Sequence, residues 1–300
     1  MNIQRVGIVG YGEVGRIFAA GLKQAGVEWV GVWDLKFDEP ARRGELRALA
    51  SAQGVQACTS AADLCAQATL VISAVTASNT LAVAFEATAD LQPGAFFLDL
   101  NSASPGTKQD AASLVDTAGG RYVEAGVMTS VPPHGLHVPM LLGGAHAGEL
   151  AGQLRAWGMD VRVVSEQIGV ASATKMCRSV MIKGLEALVL ESYATARHYG
   201  VEDAMIATLQ ETFPGIDWQQ QGSYFFSRVA QHGQRRAEEM QEAAQTVREA
   251  GFEPVMASAI AGKHGWMAAK ARAGVFAELP EPADWQAFAD RLRTPGPPRT

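Results

Sequence analysis

Arg5-Val6-Gly7-Ile8-Val9-Gly10-Tyr11-Gly12-Glu13-Val14-Gly15-Arg16 places a strand, a glycine loop and a helix start in immediate succession. Val6, Ile8 and Val9 read as a short buried strand. Gly10, Gly12 and Gly15 then keep the G-x-G-x-x-G spacing. The first glycine permits the tight turn, the second lets a pyrophosphate approach the backbone, and the third lets the helix pack close to the strand. The helix N-terminus adds unpaired N–H groups and the positive end of a dipole. A second apolar strand, Trp29-Val30-Gly31-Val32-Trp33, ends in Asp34, about where an acidic side chain takes a ribose 2′-hydroxyl. Three glycines alone would suit any strand–helix turn. With the strand and the acid added, they predict dinucleotide binding by Gly10, Tyr11, Gly12, Glu13, Val14, Gly15 and Asp34.

The bulk properties narrow the classes around that loop. Three hundred residues, 48% hydrophobic and 19% charged, describe a globular chain with ample core material and not a disordered one. A net charge of −6 offers no attraction to nucleic acid or to acidic membranes, and neither is expected as a partner. Cys58, Cys65 and Cys177 lack metal-ligand spacing, so no metal site is expected and reduced thiols are the simplest reading. No apolar stretch precedes the first strand as a signal would, and none approaches the roughly 18 to 20 residues that span a bilayer. The expected location is cytoplasmic.

Strand and helix patterns alternate as far as Val164, with apolar strands at 68–73, 95–100, 122–127, 139–142 and 161–164. Short apolar strands joined by helices imply a doubly wound, mostly parallel sheet covered on both faces, an α/β Rossmann-type domain. Beyond Gln167 the strand signals stop and long helical patterns take over, at about 170–199, 201–211, 224–250 and 254–273. The expected division is a dinucleotide-binding domain at 1–165, an all-α substrate and dimerisation domain at 166–293, and a disordered proline-rich tail at 294–300.

Three segments carry the remaining chemistry. Asp99-Leu100-Asn101-Ser102-Ala103-Ser104-Pro105 lies where a strand ends and a helix begins. Its amide and hydroxyls can face a nicotinamide, or Ser102 or Ser104 can simply cap the helix. Val75, Asn101 and Ser102 are placed on the cofactor side. The loop Met128-Thr129-Ser130-Val131-Pro132-Pro133-His134-Gly135-Leu136-His137 is stiffened by its prolines, and Thr129 and Ser130 are candidate substrate contacts. The third segment, Gly169 to Glu186, sets Lys175, Arg178, Ser179, Lys183 and Glu186 on one helical stripe, which on an ordinary amphipathic helix faces water. The small residues before Lys175 suit close packing beside a ligand instead.

In order and spacing, the glycine loop, the Asp99–Pro105 segment, the Glu124–Ser130 strand end and the Gly169–Ser179 helix start resemble the β-hydroxyacid dehydrogenase superfamily. That group holds the 3-hydroxyisobutyrate, tartronate semialdehyde and 6-phosphogluconate dehydrogenases. The runs Lys175-Met176-Cys177-Arg178-Ser179 and Val131-Pro132-Pro133-His134-Gly135 look like its 6-phosphogluconate-dehydrogenase-like branch with a C-terminal domain of unknown function. The resemblance implies Lys175 as the catalytic lysine, Ser102 near the nicotinamide, and a homodimer through the helical domain. It also exposes departures. Glu124-Ala125-Gly126-Val127 and Met128-Thr129-Ser130 replace an Asp-Ala-Pro-Val strand and a Ser-Gly-Gly loop. Ser179 stands where an asparagine is usual, and Glu238-Glu239 stand where a Lys-Asp pair is.

The expected activity is hydride transfer between a nicotinamide and the carbinol carbon of a small hydroxy acid, or its carbonyl form, with Lys175 moving the hydroxyl proton. A lysine that titrates near 10.4 in water must be lowered by about 3 units to act as a base near neutrality. Arg178 is the preferred clamp for a substrate carboxylate, with Ser179 beside it; Arg235 and Arg236 read instead as a solvated face paired with glutamates. Asp34 favours NAD over NADP, although Lys36 softens that preference. Imine reduction, which would not need the lysine, and a non-catalytic dinucleotide- or ligand-binding protein are the alternatives.

Overall fold

A computed structural model describes residues 2–293, and the expected tail at 294–300 lies outside the described residues. The chain divides into two compact units, the first ending at Cys177 and the second starting at Arg178.

In the first unit, β1 (Arg5–Val9), β2 (Trp29–Trp33), β3 (Gln56–Ala57), β4 (Leu70–Ser73), β5 (Phe96–Asp99), β6 (Arg121–Val127), β7 (Met140–Gly143) and β8 (Val161–Ser165) form one sheet. Its order is β3-β2-β1-β4-β5-β6-β7-β8. The central strands are buried on both faces (Val6, Ile8, Val71, Ile72, Phe97 and Leu98 are fully or almost fully enclosed), which is why they read as unbroken apolar runs. Connecting helices are α1 (Glu13–Gln24), α2 (Pro40–Ala52), α3 (Ala61–Cys65), α4 (Thr80–Thr88), α5 (Pro105–Thr117) and α6 (Ala147–Ala156). The chain winds outward in both directions from the β1–β4 pair. The carboxyl ends of those two strands therefore border the crevice where such sheets bind ligands.

Two strands break the pattern. β7 runs antiparallel to β6, and β8 follows β7 in parallel. β8 therefore runs opposite to β1–β6, and its last residue, Ser165, comes level through the register with Glu124 of β6 and with Asp99 at the carboxyl end of β5.

The next helix, α7 (Val170–Tyr199), is continuous across the division between the units. The division thus falls inside α7 and not between 165 and 166, because the first turns of α7 are bonded to the sheet. In the second unit α7 is joined by α8 (Glu202–Thr212), α9 (Trp218–Glu249), α10 (Val255–Arg272) and α11 (Trp285–Leu292). Two of these differ from the sequence reading. Asp217 accepts the Gln220 N–H and starts α9 at Trp218, six residues before Tyr224, while α11 was not foreseen. Trp285 of α11 is fully enclosed, 4.8 Å from the Tyr193 ring, and donates its Nε1–H to Gln219.

Candidate active site

The glycine loop has the shape its spacing implies. Gly10 sits at φ +96°, a backbone region that side chains disfavour, and its N–H donates to Trp33 O at 2.8 Å. A Cβ on Gly15 would lie 1.9 Å from the Gly10 carbonyl oxygen, so only glycine lets α1 start this close to β1. A Cβ on Gly12 would meet nothing within 4 Å, leaving open space in front of that backbone. Gly12 is also the N-cap of α1 and brings no side chain to its first-turn N–H groups at Glu13, Val14 and Gly15. An open cradle with helix N–H groups at its rim fits a pyrophosphate. Asp34 is half-buried; its carboxylate accepts the Tyr11 N–H at 2.8 Å and the Lys36 N–H at 3.0 Å, which ties the end of β2 to the loop.

The turn after β5 is built around a buried carboxylate. Asp99 is fully enclosed, and three groups meet it. The Lys108 ammonium lies 2.8 Å away, the Tyr122 hydroxyl donates at 2.6 Å, and the Asn101 N–H donates at 2.9 Å. Burial together with the Asp99 charge pushes the Tyr122 phenol well above its usual range, so it stays a donor. Asn101 then uses its side chain as a brace, accepting the Val75 N–H at 2.7 Å and donating to Ser73 Oγ at 2.9 Å. Of the two serines, Ser104 takes the capping role. It accepts the Thr107 N–H, whereas Ser102 does not cap the helix and is half-buried.

Lys175 reaches that serine. Its Nζ donates to Ser102 Oγ at 2.5 Å across 73 positions of sequence. The start of α7 is fixed by Glu124 on β6, a fully buried residue that sequence reading had noted only as a departure in a strand. Glu124 Oε1 accepts the Gly169 and Ala171 N–H groups at 2.8 and 3.0 Å, and Oε2 accepts the Ser172 N–H at 3.3 Å. No local signal could have shown this, because donor and acceptor lie some 45 positions apart.

Thr129, exposed, and Ser130, half-buried, follow the carboxyl end of β6, at the same end of the sheet as the glycine loop. Arg178 and Ser179 belong to the second unit. Arg178 is exposed, whereas Ser179 is buried and accepts a hydrogen bond from Lys183 Nζ at 3.2 Å. Beyond Arg178 the stripe is not solvated. Lys183 pairs with Glu239 at 2.8 Å, and the almost fully enclosed Glu186 is bonded by both Arg236 Nε and Nη2. This corrects the reading of Arg236, which is only 7% exposed. His264 of α10 is completely enclosed in the same cluster, 3.7 Å from Glu186, and neither ring nitrogen has a hydrogen-bond partner. Burial, with the Arg236 and Lys183 charges, holds its pKa down to about 3 against an opposing contribution from Glu239.

Residues 5–135 match the NAD binding domain of 6-phosphogluconate dehydrogenase, and residues 196–267 match a domain of unknown function, DUF1932. A conserved hypothetical protein of Sinorhizobium meliloti is 38% identical, with 97% of each chain covered and a TM-score of 0.75. A conserved protein of unknown function, described as structurally similar to 3-hydroxyacid dehydrogenases, is 31% identical over 90% of this chain and 98% of its own, TM-score 0.68. Two more distant structures share the fold. The Mycobacterium tuberculosis 3-hydroxyisobutyrate dehydrogenase solved with L-serine is 17% identical, covering 98% of this chain and all of its own, TM-score 0.73. A reductive aminase of Aspergillus terreus, solved with NADPH and ethyl levulinate, is 19% identical, covering 97% and 100%, TM-score 0.57.

Proposed function

We propose, for a chain that belongs to the family joining the NAD binding domain of 6-phosphogluconate dehydrogenase to DUF1932, that it is an NAD(P)-dependent oxidoreductase acting on a CH–OH group. Its substrate is a small hydroxy acid or the corresponding carbonyl compound, and Lys175 is the general acid and base. The observation that carries this reading is the bond from Lys175 Nζ to Ser102 Oγ, which sets an amine at the turn after β5. A bound nicotinamide supplies the hydride donor or acceptor. In oxidation the neutral Lys175 amine takes the hydroxyl proton, and in reduction the ammonium returns it. Ser102 fixes the amine's direction, since an oxygen that accepts from Lys175 keeps its own O–H to donate onward. Gly10 to Gly15 hold the pyrophosphate, Asp34 the adenosine ribose, and Val75, Asn101 and Ser102 the nicotinamide side. Thr129, Ser130, Arg178 and Ser179 are assigned to substrate.

The test is a screen with NAD and NADP against 2- and 3-hydroxy acids, sugar acids, aldehydes and cyclic imines, followed by Lys175→Met on the substrate found. Loss of about 10²- to 10⁴-fold in kcat is expected for an acid–base group. Retention within about tenfold would remove Lys175 from the chemistry. The shared fold with a reductive aminase supports a second reading, imine reduction, and turnover of cyclic imines that survives Lys175→Met would select it.

We assign a homodimer through the helical unit. Met181, Ile182 and Leu188 of α7 are 74%, 41% and 58% exposed, a row of apolar side chains that a second copy would cover. Light scattering at micromolar concentration is expected to give twice the chain mass, and a monomer would count against the assignment. Among the described residues no helix is long and apolar enough to cross a membrane.

A further inference from the structure

We propose that Glu124 is a positioning residue for Lys175, acting through the first turn of α7; the proposal rests on the reading of Lys175 as the acid–base group. A helix begins with N–H groups that lack intrahelical acceptors, and most helices satisfy one or two with a side chain just before the first turn. Here three of them, on Gly169, Ala171 and Ser172, converge on one carboxylate from a central strand. A local cap would stabilise the helix without fixing it to anything else. Glu124 fixes it to the sheet, setting both how far α7 travels along β6 and how it is rotated. Lys175 lies one helical turn beyond Ala171, so its position follows from that attachment.

The neighbouring glycines show how little slack there is. A Cβ on Gly143, opposite Glu124 in the β6–β7 register, would lie 2.5 Å from Glu124 Oε1 and 3.2 Å from Gln167 O. A Cβ on Gly126 would lie 3.0 Å from Ala171 O and 3.6 Å from Lys175 Cβ. The sheet surface is bare at both points where a side chain would lift the helix away.

The other half of the Lys175–Ser102 pair is anchored from the next strand. Asp99 and Glu124 are register partners in β5 and β6, and both are fully enclosed. Asp99 holds the turn that carries Ser102, through the Asn101 N–H and the Lys108 ammonium. Adjacent carboxylates on one sheet thus fix the two side chains that meet at 2.5 Å. Glu124 also places a negative charge at the positive end of the α7 dipole, which favours the ammonium form of a lysine one turn away.

The experiment reads Lys175 without needing its substrate. Competitive acetylation with acetic anhydride across a pH series, quantified by mass spectrometry, gives the titration midpoint of Lys175 in the full-length protein, with Lys270 as an internal reference. Glu124→Gln keeps the size of the side chain, removes its charge, and turns an amide NH₂ toward the Ser172 N–H. The expected result is a fall of about one pH unit in the Lys175 midpoint, with Lys270 unchanged and NADPH binding, followed by its fluorescence, also unchanged. Should Glu124→Gln not fold, Gly126→Ala displaces the same turn without touching a charge. It is expected to change the Lys175 acetylation rate at a fixed pH by at least about threefold. A wild-type midpoint and rate for Lys175 in the folded variants would overturn the proposal. Failure of the catalytic reading is seen separately, as turnover that survives Lys175→Met.

Discussion

Tyr11 and Asp34 lie 23 positions apart, and the backbone N–H of the first donates to Oδ2 of the second at 2.8 Å. The acid at the end of β2 is therefore part of the glycine loop's own support. Both of its oxygens accept backbone N–H groups, and each keeps a second lone pair that a ribose hydroxyl can use.

From that geometry Asp34 should select NAD, because a 2′-phosphate brings a second negative charge to the same carboxylate. Replacing it with serine is expected to lower the ratio of NAD to NADP affinity by at least about tenfold, measured as two dissociation constants. Stability should fall with it by about 1 kcal/mol per lost hydrogen bond. A wild-type protein that binds the two cofactors equally well would remove the specificity role and leave the structural one.

Lys108 and Asp99 form an ion pair in which each side chain is 1% exposed. Removing one partner leaves an uncompensated charge in the core, which costs about 3–5 kcal/mol. Lys108→Met should therefore destabilise the first unit strongly in urea titrations. The double variant Lys108→Met with Asp99→Asn is expected to recover much of the loss, since it removes both charges. If the single and double variants were equally unstable, the damage would come from packing and not from the orphaned carboxylate.

His264 gives the helical unit a defined acid sensitivity. In the folded chain its pKa is held down to about 3, against an ordinary value of 6.5. The Arg236 and Lys183 charges oppose its protonation, Glu239 favours it, and Glu186, although 3.7 Å away, is already bonded to Arg236. Between those two pH values the unfolded chain binds a proton that the folded chain does not. The contribution of His264 is thus fully present above pH 6.5 and is lost as the pH falls, at about 1.4 kcal/mol per pH unit. Urea unfolding from pH 7 down to pH 4 should show this slope in the wild type. His264→Leu should flatten it, and should not weaken the protein at neutral pH, because two unpaired buried nitrogens disappear with the ring. Parallel slopes in the two proteins would place the acid sensitivity elsewhere.

The three cysteines should separate cleanly by reactivity. Cys58 and Cys65 are buried, and burial pushes both thiols up to about 12, whereas Cys177 is exposed. A thiol reagent is expected to label Cys177 in the folded chain and all three after denaturation, counted by mass spectrometry. Rapid labelling of Cys58 in the native protein would mean that the packing of β2 against α3 opens readily.

Much of this architecture could be read from local pattern. The glycine loop, the central strands and the full extent of α7 all declare themselves in short stretches, because backbone conformation and burial there depend on near neighbours. Lys175 is singled out by the resemblance of the Gly169–Ser179 helix start to a known family, because its helical spacing alone would suit a solvated stripe. Other features depend on partners far away in the chain. Glu124 looked like a polar position in a strand until the α7 N–H groups were seen converging on it. Arg236 looked solvated because it lies in a run of charged residues, but its pairing with Glu186 of α7 and the approach of α9 to α10 enclose it. At Gly233 that approach is so close that a Cβ would lie 2.9 Å from the His264 carbonyl oxygen. Trp285 sits in a helix of eight residues, too short for its periodicity to stand out.

The single antiparallel pairing in the sheet, β6 with β7, decides the direction from which α7 arrives. Because of it, β8 runs back down the sheet to the level of Glu124, and α7 turns upward again past Glu124 and then Gly126 before Lys175 arrives at Ser102. The lysine's address is thus a matter of parity. An odd number of antiparallel pairings before α7 turns its first two turns into a ladder along the end of β6, and the Lys175 amine stands on the top rung.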